Sequence, residues 1–193
     1  MKHNLNFIVV TGIAGSGKTT LSRQLAKTLS FPYVDYDTLT EDFLLKIHRE
    51  FESALQYSAF CSKWRKESYG VFWSTIGENL TLGNSVIASG PCTQELQTSD
   101  FFSQFKAQYD LPHLHTINIH LVPSEERLAY LKRKRNLERD QYHQGNWTEF
   151  YGNRLTSPPS WDCDLIEVIC FSDGETPYKK SLALINNYIN SKY

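Results

Sequence analysis

The stretch Gly12-Ile13-Ala14-Gly15-Ser16-Gly17-Lys18-Thr19 decides the fold of this chain. It joins an apolar, β-branched run, Leu5–Thr11, to an amphipathic segment, Thr19–Leu29, which indicates a buried strand followed by a helix. The stretch fits the phosphate-binding pattern G-x-x-x-x-G-K-S/T at every fixed position. Its glycines allow a tight turn and close approach of phosphate oxygens, while the backbone N–H groups and the helix N-terminus attract anions. The stretch therefore predicts a binding site for nucleotide phosphates.

The chemistry of this loop predicts ATP and Mg²⁺ as its ligands. Lys18 would bring a positive charge to the β- and γ-phosphates, and Thr19 would offer its hydroxyl to Mg²⁺. No guanine-reading N-K-x-D motif is present, which disfavours GTP. A chance glycine-rich turn is the alternative, but the flanking strand and helix fit the motif independently. The predicted nucleotide-binding residues are Gly12, Ala14, Gly15, Ser16, Gly17, Lys18, Thr19 and Thr20.

Length and composition indicate one soluble, cytoplasmic domain. The chain has 193 residues, of which 40% are hydrophobic and 21% charged, and its net charge is −1. This balance disfavours a general attraction to nucleic acid or to a membrane surface. The residues Met1–Asn6 lack the pattern of a signal peptide, and no apolar run has the length of a membrane span. The four cysteines lack CxxC spacing, so we expect reduced, packed thiols.

Strands alternate with helices along the remaining chain. Further strands are predicted at Pro32–Asp35, Ser85–Ala88, Thr116–Val122 and Leu165–Phe171. Residues 39–82 are mainly helical, with Phe72, Ile76 and Leu80 spaced four apart. Helices are also predicted at Phe101–Gln108, from Glu125 after a Ser124 cap, and from Pro177 with Leu182, Ile185 and Ile189 on one side. This alternation predicts an α/β fold with a mostly parallel sheet and helices on both faces.

Two carboxylates, Asp35 and Asp37, stand at the end of the second predicted strand. Ligands of open α/β sheets bind beyond the carboxyl ends of strands, and strand alternation should place both side chains on the same side. One would organise water around Mg²⁺, and the other would take the proton of an acceptor hydroxyl. The alternative is an exposed turn in which Asp37 caps the following helix. The third strand carries no Asp, so the metal role rests on Thr19 and Asp35.

A basic run follows Glu125. Its members are Arg127, Lys132, Arg133, Lys134, Arg135 and Arg139. Three interpretations are open: a solvated helix face, a nucleic-acid patch, or a lid that closes arginines over the γ-phosphate. Arg135 and Arg139 share one helical face and can reach one anion, and the near-neutral net charge disfavours nucleic acid.

Other side chains carry weaker signals. Three histidines lack a carboxylate or cysteine at metal-ligand spacing, so no metal site is expected from His113, His115 and His120. Four aromatic residues fit either a core or an acceptor pocket, namely Trp64, Tyr69, Phe72 and Trp73.

Several segments resemble those of the small P-loop kinases, the group that includes shikimate, gluconate and nucleoside monophosphate kinases. The resemblance is strongest to an uncharacterised set of bacterial P-loop ATPases of the kinase type. The matching segments are the phosphate loop, Asp35-Tyr36-Asp37-Thr38-Leu39-Thr40, Ser89-Gly90-Pro91-Cys92-Thr93, and Arg135-x-x-x-Arg139-Asp140 followed by Trp147. This likeness implies a P-loop NTPase fold in one domain, 1–193, with a five-stranded sheet, a helical substrate-cap region at about 39–82 and a lid at about 135–155. It also implies that Asp35 and Asp37 serve metal and acceptor, that Arg135 and Arg139 are lid arginines, and that adenine lies near Asp173-Gly174.

The function that these patterns favour is ATP-dependent transfer of the γ-phosphate to a hydroxyl of a small molecule. The predicted catalytic residues are Lys18, Asp35, Asp37, Arg135 and Arg139. One alternative is a kinase that acts on nucleotides or polynucleotide ends. Another is a non-catalytic switch that binds ATP. We expect a small-molecule acceptor as the partner, neither nucleic acid nor membrane, in a monomer or homodimer.

Overall fold

The computed structural model describes residues 5–92, 94–135, 160–170, 182–183 and 185–189. Its strands are β1 (Asn6–Gly12), β2 (Tyr33–Asp35), β3 (Val86–Ser89), β4 (His115–Pro123) and β5 (Asp164–Cys170). Its helices are α1 (Lys18–Leu29), α2 (Tyr36–Phe51), α3 (Tyr57–Lys63), α4 (Arg65–Thr81), α5 (Phe101–Gln108) and α6 (Glu125–Arg135). A short 3₁₀ turn spans Glu95–Gln97.

The five strands form one sheet in the order β2-β3-β1-β4-β5, and each neighbouring pair is parallel. The α/β class predicted from the sequence pattern and the five-stranded sheet implied by the resemblance to small P-loop kinases are therefore confirmed. Because parallel strands end at the same edge of a sheet, Gly12, Asp35 and Ser89 lie at one edge, with β1 in the middle. This edge carries the phosphate loop.

Both faces of β1 are buried, as the apolar run at 7–10 within it predicts. Phe7 and Val9 point into one core together with residues of α4 and α5. Ile8 and Val10 point into a second core with residues of α1 and β4. The alternation of side chains along the strand separates the two cores. The sheet therefore holds the start of the phosphate loop from both sides.

The helical region predicted at 39–82 consists of α2, α3 and α4. Phe72, Ile76 and Leu80 are each at most 1% exposed, so the predicted apolar face of α4 is confirmed. The region begins earlier than predicted, because α2 starts at Tyr36 directly after the last residue of β2. No loop separates the strand from the helix.

The remaining segments follow their predicted pattern where they are described. Arg127 N donates to Ser124 Oγ at 3.2 Å, which confirms the predicted cap of α6. Residues 182–183 and 185–189 are helical, and Ile185 and Ile189 reach the second core. The predicted lid at about 135–155 lies outside the described residues, apart from the backbone of Arg135 at the end of α6. Within the described ranges, no helix has the length and apolar character required to span a membrane.

Candidate active site

The phosphate loop turns through three glycines with positive φ, namely Gly12 at 140°, Gly15 at 86° and Gly17 at 97°. Gly17 is the N-cap of α1, and the first turn of this helix contains no acidic residue. No acidic residue of α1 itself therefore competes with an anion for the N–H groups at the helix N-terminus. This backbone geometry fits the phosphates of a nucleotide.

The Lys18 side chain folds back over the loop. Its Nζ donates to the carbonyl oxygens of Gly12 at 2.9 Å and Ile13 at 3.0 Å. The Oγ1 of the next residue, Thr19, lies 3.5 Å from Oδ2 of Asp35. Hydroxyl and carboxylate oxygens are ligands that suit Mg²⁺, directly or through water, so the donor set at Thr19 and Asp35 fits the predicted metal.

Asp35 accepts hydrogen bonds on both carboxylate oxygens. Oδ1 accepts from the backbone N and from Oγ1 of Thr38, both at 2.9 Å. Oδ2 accepts from Tyr33 Oη at 2.7 Å and also from Ser89 Oγ. The side chain is 9% exposed. Oδ1 thus caps α2, whereas Oδ2 faces the phosphate loop and two hydroxyl groups.

These hydrogen bonds keep Asp35 ionised. Burial alone would raise the pKa of its carboxyl group, but donation from Ser89, Thr38 and Tyr33 outweighs burial and lowers the pKa. Burial, together with the adjacent carboxylate, raises the pKa of Tyr33, so its hydroxyl remains a proton donor. A carboxylate with this many donors is a poor base, because a proton on it would displace a hydrogen bond.

Asp37 lies in the first turn of α2 and is exposed. The prediction that strand alternation places Asp35 and Asp37 on the same side is therefore wrong, because β2 ends at Asp35 and Asp37 belongs to a helix. The alternative prediction that Asp37 caps the helix is also wrong, since Asp35 is the N-cap. The two carboxylates nevertheless lie at the same edge of the sheet.

A cavity of about 240 Å³ lies beside this edge, between α2, α3, α4 and Pro91 after β3. Its lining includes Tyr36, Asp37, Glu41, Tyr57, Arg65 and Tyr69. The rings of Tyr36 and Tyr69 stack with centroids 4.3 Å apart, which makes one wall rigid. The cavity has room for a small polar molecule next to Asp37.

Arg65 contributes the positive charge of this lining. One guanidinium nitrogen lies 2.6 Å from Glu95 Oε2, and the group stacks over the Tyr69 ring at 4.1 Å. Both side chains of the ion pair are at least four-fifths buried. The sequence did not single out Arg65 or Glu95, because the pair joins α4 to the distant 3₁₀ turn.

The remaining candidates divide between core and surface. Phe72 and Tyr69 belong to the first core, and Trp73 packs against it, whereas Trp64 donates to Glu52 from a partly exposed position. Of the four, only Tyr69 also lines the cavity.

Two of the histidines contact residues of neighbouring strands. His115 bonds to Asn6 and Asp164, and His120 contacts Thr11. Within the part of the chain that is described, no three His, Cys, Asp or Glu side chains group together as metal ligands.

Tyr33 and Ser89 are the site residues that the sequence analysis missed. The contact of Ser89 with Asp35 depends on the pairing of β2 with β3, which sets Asp35 opposite Ser89, whereas Tyr33 lies two residues before Asp35 in β2. The available signal was the absence of an acidic residue at the end of β3, where a hydroxyl side chain stands instead.

The sheet order and the glycine loop define a P-loop protein with a kinase-like α/β fold. The family model described as an AAA domain matches residues 7–150, and the chain belongs to this family of P-loop domains.

Solved structures support the same fold. The chain is similar to a candidate kinase from Chloroflexus aurantiacus j-10-fl, with a TM-score of 0.69, 17% identity and 97% of both chains covered. A gluconokinase from Sinorhizobium meliloti 1021 gives a TM-score of 0.54 at 18% identity, covering 98% of this chain and 99% of that chain. A shikimate kinase from Bacteroides thetaiotaomicron gives 0.52 at 18% identity, covering 95% and 98%. No curated protein matches the chain. At these identities the likeness establishes the fold, which confirms the predicted resemblance to small P-loop kinases.

Proposed function

We propose that the protein is an ATP-dependent phosphotransferase that moves the γ-phosphoryl group of ATP to a hydroxyl of a small molecule. The observation that carries this proposal is the arrangement at one sheet edge. A phosphate loop, a hydrogen-bonded carboxylate at Asp35 and a cavity lined by Asp37 lie side by side. A binding module for ATP alone has no need of the cavity.

The loop provides the nucleotide side of the site. Backbone N–H groups of Gly12–Thr20 and the N-terminus of α1 would hold the phosphates. The Lys18 ammonium would exchange its two loop carbonyls for phosphate oxygens, which are stronger acceptors because they are charged. Thr19 and Asp35 would hold Mg²⁺, directly or through water. Mg²⁺, when bound, neutralises negative charge on the phosphates.

The two aspartates take different roles in this proposal. Both oxygens of Asp35 already accept hydrogen bonds, which fix the orientation of this carboxylate and suit a role in holding Mg²⁺. Asp37 lines the cavity and would hold the acceptor hydroxyl. The acceptor oxygen forms a bond to Pγ as the bond from Pγ to the β,γ-bridging oxygen breaks, ADP leaves, and the acceptor proton passes to Asp37.

Arg135 and Arg139 complete the proposal as lid arginines. Arg135 belongs to α6, and Arg139 follows it by four residues in the sequence, outside the described residues. They would stabilise the negative charge on the transferring phosphoryl group. The similarity in fold to gluconokinase and shikimate kinase supports a small hydroxyl compound as the acceptor class.

The test combines ATP binding with a screen for acceptors. Calorimetry with Mg²⁺ should detect ATP uptake, and ADP release should rise with one member of a panel of sugars, nucleosides, amino acids and aminoglycosides. Lys18→Ala should reduce acceptor-dependent ADP release by about 100-fold or more. Asp37→Asn should abolish that release while ATP still binds.

Three results would contradict the proposal. One is a folded protein that takes up no ATP with Mg²⁺ present. Another is full acceptor-dependent activity in Lys18→Ala. A third is ATP binding without stimulation by any hydroxyl compound, which would favour the ATP-binding switch.

A further inference from the structure

Two hydroxyl groups converge on the oxygen of Asp35 that faces the phosphate loop. Tyr33 Oη and Ser89 Oγ each contact Oδ2, and they lie 2.8 Å from one another. Each hydroxyl has a single proton. If both hydroxyl protons are donated to the carboxylate, no proton is left for a hydrogen bond between Tyr33 and Ser89. Both hydroxyls then donate to Asp35 and not to each other.

We propose that Tyr33 and Ser89 are positioning residues that orient the Asp35 carboxylate toward Thr19 and the Mg²⁺ of bound MgATP. The inference rests on the proposed function, since it concerns how the same site holds its metal. It assigns the orientation of a single carboxylate to two neutral side chains, at a sheet edge where the third strand ends in Ser89 and carries no Asp.

The sheet makes both hydroxyls rigid supports. Ser89 is the last residue of β3, is 1% exposed and stands opposite Asp35 in the parallel pairing. Tyr33 precedes Asp35 by two residues in β2, so the two side chains leave the strand on the same face. Neither support depends on a loop.

The geometry separates this task from capping of α2. Thr38 satisfies Oδ1 through its backbone N and its hydroxyl, and those two contacts hold the helix start. Of the two carboxylate oxygens of Asp35, Tyr33 and Ser89 contact only Oδ2, the oxygen that also lies near Thr19 Oγ1. Removal of either hydroxyl therefore frees the metal-facing oxygen and leaves the helix cap in place.

The experiment measures ATP affinity by calorimetry as Mg²⁺ is varied, in Tyr33→Phe and Ser89→Ala. Each variant should lose about 10-fold or more of the affinity gain that Mg²⁺ confers, because groups that support metal ligands usually have effects of this size. Affinity for ATP in the presence of a chelator should stay at the wild-type value. Asp35→Asn should show the same loss, and adding Tyr33→Phe to it should change nothing more.

Matched controls remove similar groups elsewhere. Tyr109→Phe deletes a hydroxyl whose hydrogen bond among the described residues goes to the Trp73 carbonyl, at 3.5 Å. Ser22→Ala deletes a buried hydroxyl of α1 that has no hydrogen-bond partner within the described ranges. Both controls should keep the wild-type response to Mg²⁺.

Two outcomes would overturn the inference. One is an unchanged response to Mg²⁺ in folded Tyr33→Phe and Ser89→Ala. The other is an equal loss of ATP affinity with and without Mg²⁺, which would place the hydroxyls in nucleotide binding or in folding. If Ser89→Ala fails to fold, Tyr33→Phe alone decides. Failure of the proposed function has a different signature, since the wild-type protein would then bind no MgATP or transfer no phosphate.

Discussion

Gly12 stands where β1 becomes the phosphate loop, and its replacement by alanine should destabilise the protein. Its φ is 140°, a conformation that side chains rarely adopt. A Cβ here would lie 2.7 Å from the carbonyl oxygen of Leu121 and 3.0 Å from Ser16 Oγ. Leu121 belongs to β4, the strand paired with β1, so this oxygen cannot move without disturbing the sheet.

The expected loss of stability in Gly12→Ala has two parts. The unfavourable φ contributes about 1–3 kcal/mol. Forcing two paired strands apart contributes a similar amount, about 1–3 kcal/mol, as in other overpacked interiors. Gly12→Ala should therefore lower the free energy of unfolding by about 2–6 kcal/mol. The loss is large compared with a total stability of about 5–15 kcal/mol.

Alanine substitutions at two other glycines distinguish the cost of the unfavourable φ from the cost of the steric clash. Gly83 has a φ of 85°, and a Cβ there meets no described atom within 4 Å, so Gly83→Ala should show strain alone, at about 1 kcal/mol. Gly70 lies inside α4 with open space around it, so Gly70→Ala should stabilise the protein by about 0.5–1 kcal/mol.

Urea unfolding monitored by circular dichroism measures all three variants. Stability should fall in the order Gly70→Ala, wild type, Gly83→Ala, Gly12→Ala. Equal stabilities for Gly12→Ala and Gly83→Ala would refute the steric part of the reasoning. A wild-type value for Gly12→Ala would refute both parts and the loop geometry with them.

Two further predictions concern groups outside the loop. Asp162 accepts from the backbone N of Phe102 at 2.8 Å and of Ser103 at 2.7 Å, so Asp162→Ala should cost about 1 kcal/mol as a lost cap of α5. Burial would raise the pKa of Asp162, but hydrogen bonds from Ser103 and from backbone amides lower it. The contribution of Asp162 to the free energy of unfolding is therefore present above its unfolded pKa of about 4 and is lost as pH falls through the folded value. The difference between wild type and variant in urea unfolding should accordingly shrink in acid, and a constant difference would contradict the prediction. Cys92 is fully buried, and burial raises the pKa of its thiol, so iodoacetamide should modify Cys92 only after the protein unfolds. Cys61 is partly exposed and should react in the native protein. Mass spectrometry would show the order of modification, and modification of Cys92 before unfolding would contradict the prediction.

The sequence determined most of the fold because its strongest signals are local. The phosphate loop, the apolar run before it and the spacing of Phe72, Ile76 and Leu80 each lie within one element. Strand order is not local, and the five-stranded sheet was expected only through the resemblance to small P-loop kinases. The order β2-β3-β1-β4-β5 then follows from pairings between residues far apart in the chain.

The candidate site was predictable in part for the same reason. Lys18, Thr19 and Asp35 were found because motifs contain them. Ser89 was missed because its contact with Asp35 joins residues 54 positions apart, and Tyr33 was missed because no motif contains it. The prediction that Asp35 and Asp37 alternate along one strand was wrong because β2 passes into α2 without a loop. Periodicity does not locate such a boundary to within one residue.

The direct junction at Asp35 has a mechanical consequence. One side chain ends a strand, starts the helix that bears Asp37, and contacts the helix that begins with Lys18. A rotation of α2 about its first turn would pull on Oδ1 through Thr38, and so turn Oδ2 relative to Thr19. The α2 wall of the cavity and the Asp35 oxygen beside the phosphate loop are therefore coupled, so a change that reorients α2 should also reorient Oδ2.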